Sequence, residues 1–268
     1  MKSIQPHTEK KMLLNYQQLG KGAPILLIHG LFGSLENLNM VAKALSENFE
    51  VTSIDVRNHG SSFHQDGMDY STLVKDVMNI LDHLHIERCI ILGHSMGGKI
   101  AIQCALEHPQ RVEKLIVADI APVSYPPHHN EIIKGLQAID LSKVTKRADA
   151  DKQLSAYVDN LGVRQFLLRN LTPQAQGGFI FKCSLDYINA GYPQIMLANK
   201  IPEGMHAYNG ETLFIKGGNS DYILAEHRPA IAAMLPNSKA KIIQGAGHWL
   251  HAEKTIAFNK IVLDFINA

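Results

Sequence analysis

The sequence carries almost no net charge. Its 26 Lys and Arg residues nearly balance 25 Asp and Glu residues, which leaves a formal net charge of +1. A protein that binds nucleic acid needs a surface of basic side chains that neutralises phosphates, and the sequence has no long basic run from which to build one. We therefore expect no nucleic-acid partner.

Cysteines and metal-ligand patterns are also scarce. The three cysteines, Cys89, Cys104 and Cys183, are odd in number and form no Cys-x-x-Cys pair, so we expect buried, reduced thiols rather than a disulfide framework. Reduced cysteines are typical of a reducing compartment. The 14 histidines are scattered and show no HExxH spacing. The sequence predicts no metal site and no other cofactor.

Long apolar runs are missing as well. No stretch reaches the length of about 18 apolar residues that indicates a transmembrane helix. Residues 1–11 are polar and lack the apolar segment of a signal peptide. Together with the reduced cysteines, this predicts a cytoplasmic protein without integral membrane association. The oligomeric state is left open.

The residues that are present alternate between short apolar runs and longer helical patterns. The apolar runs lack the polar alternation of a half-exposed strand, so they predict strands covered on both faces. Strands of this kind separated by helices indicate an α/β fold with a mostly parallel, doubly wound sheet. The predicted strands and helices in the first half of the chain are 24–28, 51–55, 70–84, 89–92, 96–107 and 114–118.

The alternation of apolar runs with helical patterns stops after residue 121. Residues 122–205 contain helix-like segments punctuated by prolines and few good strands. The strand-like run 212–216 then restores the α/β pattern, and a helix closes the chain. We therefore predict an α/β core formed by residues 1–121 and 206–268, with a helical cap inserted at 122–205.

The clearest motif is Gly-x-Ser-x-Gly, with Ser95 at its centre. It follows one predicted strand and opens one predicted helix, which is the context that a nucleophile elbow requires. Gly93 and Gly97 have no side chains to clash in so sharp a turn. The N-terminus of the following helix favours negative charge at this point. Ser95 is therefore the predicted nucleophile of a serine hydrolase, and the predicted fold is an α/β-hydrolase fold with an inserted helical cap.

A serine hydroxyl needs a base to accept its proton. In this fold the base comes late in the chain, and His248 lies in the suitable loop Gly245-Ala246-Gly247-His248-Trp249. The nearby His251 enters the last helical region, and we expect it on the surface. His248 is the predicted general base.

Two backbone N–H groups should stabilise the oxyanion that forms during acyl transfer. One is expected from Met96, the residue after the nucleophile. The other is expected from the loop after the first long strand, where Leu31 is favoured and Phe32 is the alternative. Phe32 is also expected to contact the substrate.

The acid that orients His248 has two candidates. Asp119 directly follows a predicted buried strand, and Asp221 lies in the later loop Gly217-Gly218-Asn219-Ser220-Asp221. Many hydrolases of this fold place the acid three residues after the first glycine of that loop, a position that Ser220 occupies here. We favour Asp119, with Asp221 as the alternative.

Several motifs resemble those of one known family. The sequence is similar to the YbfF-type bacterial esterases of the α/β-hydrolase superfamily, and to the mitochondrial abhydrolase-domain-11 proteins. The motifs that carry this resemblance are Asp55-Val56-Arg57-Asn58-His59-Gly60-Ser61-Ser62, Gly93-His94-Ser95-Met96-Gly97-Gly98-Lys99, Ala118-Asp119-Ile120-Ala121-Pro122, Gly217-Gly218-Asn219-Ser220 and Gly245-Ala246-Gly247-His248-Trp249.

The resemblance implies an esterase or acyl thioesterase whose partner is a small-molecule ester or thioester, acyl-CoA included. It also supports Asp119 as the acid, with Ser220 as a fourth catalytic member and Tyr222 as a substrate-binding residue. The arginine that it implies early in the cap is absent from 125–130, which reads YPPHHN.

Two other functional classes remain as alternatives. The same triad serves carbon–carbon bond hydrolases and cofactor-free haloperoxidases. A catalytically inactive binding protein is the remaining alternative, although such proteins usually lose the serine or the histidine. Dehalogenases and epoxide hydrolases are disfavoured because they need a carboxylate nucleophile where Ser95 stands.

Overall fold

The computed structural model describes residues 12–268, so the predicted absence of a signal peptide concerns residues outside the described part. The strands are β1 (Tyr16–Leu19), β2 (Ala23–Ile28), β3 (Phe49–Ile54), β4 (Cys89–His94), β5 (Val112–Ala118), β6 (Leu171–Pro173), β7 (Phe179–Phe181), β8 (Thr212–Gly217) and β9 (Ser238–Ile243). The α-helices are α1 (Asn39–Leu45), α2 (Tyr70–His83), α3 (Met96–Glu107), α4 (Asn130–Gln137), α5 (Arg147–Leu154), α6 (Leu161–Leu167), α7 (Leu185–Ile195), α8 (Arg228–Met234), α9 (Leu250–Glu253) and α10 (Thr255–Ile266).

Seven strands form the central sheet in the order β1-β3-β2-β4-β5-β8-β9. All neighbouring pairs are parallel except β1 with β3, which is antiparallel. The predicted mostly parallel α/β sheet is thus confirmed. The short edge strand β1 is an addition that the apolar pattern did not indicate, because its residues are only half-buried or exposed.

Helices cover both faces of the sheet, which explains why the central strands are apolar throughout. Every residue of β4 is buried, and its side chains divide between two hydrophobic clusters. Helices α2 and α3 contribute to the cluster on one face, and α1 and α10 contribute to the cluster on the other. The carboxyl ends of β4 and β5 therefore emerge side by side between two packed layers.

The chain between β5 and β8 leaves the sheet and forms α4 to α7 around a third hydrophobic cluster. It also contains an antiparallel pair, β6 with β7, of three residues each. The division at residues 122 and 205 stays a prediction, but the helical character expected for this segment agrees with its structure. Phe32, from the loop after β2, packs into the third cluster and so connects it to the core.

Other expectations can be compared with the described residues. Cys89, Cys104 and Cys183 are buried and unpaired, as predicted. None of the helices between residues 12 and 268 has the length and apolarity needed to cross a bilayer.

Candidate active site

Ser95 lies at the turn between β4 and α3 and has a strained backbone. Its φ of 54° and ψ of −121° fall in a region that side chains rarely adopt. A Cβ atom at Gly93 would overlap the carbonyl of Gly97, and one at Gly97 would overlap the carbonyl of Ile28. The two glycines therefore permit the turn that presents the Ser95 hydroxyl at the carboxyl edge of the sheet.

His248 reaches this serine from the loop after β9. Its Nε2 lies 3.0 Å from Ser95 Oγ, and its Nδ1 lies 2.8 Å from Asp119 Oδ2. Because Nδ1 faces a carboxylate, it carries the proton, and Nε2 is left to accept the serine proton. The three side chains have the hydrogen-bonded arrangement of a Ser-His-Asp triad, which nucleophilic catalysis by serine requires.

Asp119 is fully buried at the end of β5, where it is held by further donors. Its Oδ1 accepts the N–H of Gly217 at 2.9 Å, and Ser220 Oγ donates to Oδ2 beside His248. Asp221 is exposed. The geometry thus favours Asp119 over Asp221 as the partner of His248, and it places Ser220 directly on the carboxylate.

The loop after β2 has only one of its two candidate amides available. The N–H of Phe32 donates to Nε2 of buried His59 at 3.1 Å. Burial lowers the pKa of His59 to about 3, so its ring is neutral and can accept this bond. Asn170 of the cap donates to the Phe32 carbonyl at 2.8 Å. Phe32 is therefore held by its backbone on both sides, and its amide cannot serve an oxyanion.

The favoured amides of Leu31 and Met96 remain available. Within residues 12–268, no protein acceptor takes the Leu31 N–H. Met96 is the first residue of α3, whose initial N–H groups have no partner inside the helix. Both residues line a cavity beside Ser95. This arrangement can stabilise negative charge next to the serine.

Tyr222 was expected at the substrate site, but its contacts with His248 and the histidines around it were missed at the level of sequence. The ring of Tyr222 stacks on the His248 imidazole with centroids 3.9 Å apart, and His128 Nε2 lies 2.7 Å from the Tyr222 hydroxyl. His94, the variable residue of the nucleophile motif, donates to the His248 carbonyl at 2.8 Å. His251 packs on His94 and is buried, so its expected surface position is wrong. A buried His251 was not recognisable because the turn into α9 gives no helical period.

Burial also lowers the pKa of two histidines near the Ser95–His248–Asp119 triad. The pKa of His129 falls to about 3, mainly through desolvation and then through the neighbouring His128. The pKa of His251 falls to about 4 for the same leading reason. Both are neutral near pH 7, so they add no charge to the site.

A cavity of about 270 Å³, called the larger chamber below, opens over Ser95 and His248. Its wall is mainly apolar and combines core and cap residues. Phe32 and Tyr222, both predicted to contact substrate, are part of this wall. The apolar and aromatic lining includes Phe32, Ile132, Val163, Phe166, Leu167, Tyr222 and Trp249. Within the described residues no cluster of His, Cys, Asp and Glu side chains could hold a metal ion.

Comparison with known proteins agrees with this fold and geometry. A family model described as alpha/beta hydrolase fold matches residues 23–156. The chain belongs to the α/β-hydrolase family. Within it, the chain groups with the YbfF-type esterases, as its motifs predicted, and it is a carboxylic ester hydrolase.

Three relatives illustrate the match. Esterase YbfF of Escherichia coli is 35% identical over 94% of this chain and 96% of its own length. The sn-1-specific diacylglycerol lipase ABHD11 of Xenopus laevis is 38% identical over 92% of this chain and 80% of its own. The solved structure of a marine microorganism esterase is 38% identical, with a TM-score of 0.91 over 95% of this chain and all of that one.

Proposed function

We propose that the enzyme cleaves carboxylic esters and acyl thioesters through an acyl-Ser95 intermediate. The observation that carries this proposal is the hydrogen-bonded triad of Asp119, His248 and Ser95. His248 Nδ1 lies 2.8 Å from Asp119 Oδ2, and His248 Nε2 lies 3.0 Å from Ser95 Oγ. These distances lie within the reach that proton transfer between a nucleophile and its base requires.

In the first half of the reaction, Ser95 Oγ attacks the carbonyl carbon while its proton passes to His248 Nε2. The N–H groups of Leu31 and Met96 stabilise the oxyanion. Asp119 stabilises the imidazolium through the Nδ1–H bond, and Ser220 keeps the carboxylate in place. The imidazolium then protonates the leaving oxygen or sulfur, and the C–O or C–S bond breaks.

In the second half, a water molecule attacks the acyl-serine. His248 takes its proton, the tetrahedral intermediate collapses, and the proton returns to Ser95 Oγ as the acid leaves. The mainly apolar wall of the larger chamber supports uncharged, apolar leaving groups, which include alcohols. A thioester follows the same path, because a thiol is a better leaving group than an alcohol and needs less help from His248.

Labelling with a fluorophosphonate probe tests the nucleophile. Wild-type protein should be labelled, and Ser95→Ala should not. Ser155→Ala should label as wild type, because Ser155 is an exposed serine that does not line the larger chamber. Absence of labelling in the wild type would remove the basis of the proposal. Turnover of matched oxygen esters, thioesters and a dienone acid then separates ester cleavage, thioester cleavage and carbon–carbon hydrolysis.

We place the enzyme in the cytoplasm, on the support of its three buried and unpaired cysteines. Such thiols are typical of proteins in a reducing compartment. Fractionation of source cells, with esterase activity and an antibody as readouts, tests this localisation. Recovery in an oxidising compartment would contradict it.

A further inference from the structure

Ser95 borders a second cavity on the side away from His248. This small chamber is lined by residues of α3, the end of α7 and the first part of the cap. The residues that matter for its shape are Tyr70, Lys99, Tyr125, Ile195 and Met196. Its volume is about 30 Å³, against about 270 Å³ for the larger chamber by the same measure.

The two chambers differ in the part of the catalytic machinery that faces them. His248 lines the larger chamber and not the small one, whereas Met96 lines the small chamber and not the larger one. The leaving oxygen must take its proton from His248 Nε2, so the leaving group has to lie on the side of His248. The remaining substituent of the tetrahedral carbon, the acyl chain, then points the other way.

We propose that the small chamber is the acyl-binding site and that it restricts the enzyme to acetyl, propanoyl and similarly short acyl groups. The larger chamber holds the alcohol or thiol portion. This proposal rests on the proposed ester cleavage through Ser95. The small chamber has about a ninth of the volume of the larger chamber, about 30 Å³ against about 270 Å³, so it suits the shorter part of an ester.

The walls of the small chamber are fixed by hydrogen bonds, which keeps it from widening around a longer chain. Lys99, only 2% exposed, donates through Nζ to the Val123 carbonyl at 2.9 Å and also to the Leu197 carbonyl. The hydroxyl of Tyr70 donates to the Ile195 carbonyl at 2.5 Å. These bonds join α2 and α3 of the core to the two segments by which the cap leaves and rejoins the sheet.

Tyr125 fastens the remaining side. Its N–H donates to the Met196 carbonyl at 2.9 Å, and its hydroxyl donates to the Tyr222 carbonyl at 2.5 Å while accepting the N–H of Ala121 at 2.9 Å. A chain that exceeds the chamber must break such bonds or force its carbons into packed space, and both are unfavourable.

Two substrate panels with purified wild-type enzyme test the assignment. In the first, p-nitrophenyl esters vary from acetate to octanoate with a constant leaving group. In the second, acetates vary in the alcohol. We expect kcat/KM to fall by about a hundredfold or more between propanoate and octanoate, since overfilling packed space is strongly unfavourable. The alcohol panel should tolerate bulky aromatic alcohols.

A matched pair of variants distinguishes the chambers. Met196→Ala and Ile132→Ala each remove three heavy atoms, the first from the small chamber and the second from the larger one. Met196→Ala should move the acyl limit upward by about two or three carbons, because the space it vacates adjoins the chamber. Ile132→Ala should change preference among alcohols and leave the acyl limit unchanged.

The outcomes separate this proposal from the proposed function. Equal cleavage of acetate and octanoate by the wild type, or a shift of the acyl limit by Ile132→Ala in place of Met196→Ala, would overturn the acyl-site assignment and leave ester hydrolysis standing. Failure of every ester to react in a manner dependent on Ser95 would instead refute the proposed function. The wild-type panels decide the matter even where a variant does not fold.

Discussion

The replacement Asp119→Asn is expected to disable His248 by fixing the wrong tautomer. The carboxylate of Asp119 accepts three hydrogen bonds, from His248, Ser220 and Gly217. The Gly217 amide can only donate, so the asparagine must turn its carbonyl oxygen toward it. The asparagine NH₂ group then faces His248 Nδ1, which has to become an acceptor, and the ring proton moves to Nε2. Nε2 can no longer take the proton of Ser95.

The magnitude follows from the loss of the base. Replacing the triad aspartate of a serine protease by asparagine holds the histidine in the wrong tautomer and lowers kcat by about 10⁴-fold, and we expect a similar loss here. This corresponds to about 5 kcal/mol of transition-state stabilisation. The assay is kcat/KM for a p-nitrophenyl ester, together with the rate of fluorophosphonate labelling, which reports the same nucleophile without the second half-reaction.

The control is Asp221→Asn. Asp221 is exposed and His248 Nδ1 bonds to Asp119 instead, so we expect replacement of Asp221 to change kcat/KM by less than about twofold. Thermal unfolding of both variants checks that they are folded. A crippled Asp221→Asn beside a mildly affected Asp119→Asn would refute the reasoning and transfer the acid to the later loop.

Three further predictions concern the supporting residues. Ser220→Ala should lower kcat/KM by about ten- to a hundredfold, less than Asp119→Asn, since it removes one hydrogen bond of about 1.5–3 kcal/mol to a buried carboxylate, and steady-state kinetics check this. His59 is buried neutral with its pKa lowered to about 3, below the ordinary value of 6.5, so its contribution to stability is present above pH 6.5 and is lost as pH falls toward 3. Between pH 6.5 and pH 5 this loss is about 2 kcal/mol in the free energy of unfolding. In urea titrations of His59→Gln, the free energy of unfolding should change between these two pH values by about 2 kcal/mol less than in the wild type. Gly97→Ala should prevent accumulation of folded protein or lower its melting temperature by several degrees, as measured by circular dichroism, because the new Cβ meets the Ile28 backbone; an unchanged melting temperature would contradict that steric argument.

The fold could be predicted because its signals are local. Fully apolar runs such as 89–92 indicate central strands. The glycines around Ser95 indicate a nucleophile elbow, because few other turns need glycine at both of these positions. The edge strand β1 and the pair of β6 with β7 escaped prediction for the opposite reason. They are short, and their pairing depends on partners elsewhere in the chain rather than on their own pattern.

The site was predictable only where fold order assigns a position. Ser95 and His248 follow from that order, and the structure brings them together. Asp119 was favoured over Asp221 because it directly follows a buried strand, but two strand ends can reach one histidine, so Asp221 stayed open until the structure placed Asp119 on His248. The contact of His128 with Tyr222 joins residues 94 positions apart, and no spacing in the sequence announces it.

The left-handed backbones at the ends of β4 and β5 have a consequence for how the enzyme can change. Ser95 and Asp119, with φ of 54° and 53°, are each fastened by their N–H to the neighbouring strand, at 2.9 Å to Ala118 and 2.8 Å to Ile215. The alignment of nucleophile and acid is therefore a property of the sheet as a whole and not of any surface loop. Changes in the cap can therefore admit new substrates while Ser95 and Asp119 keep their positions relative to each other.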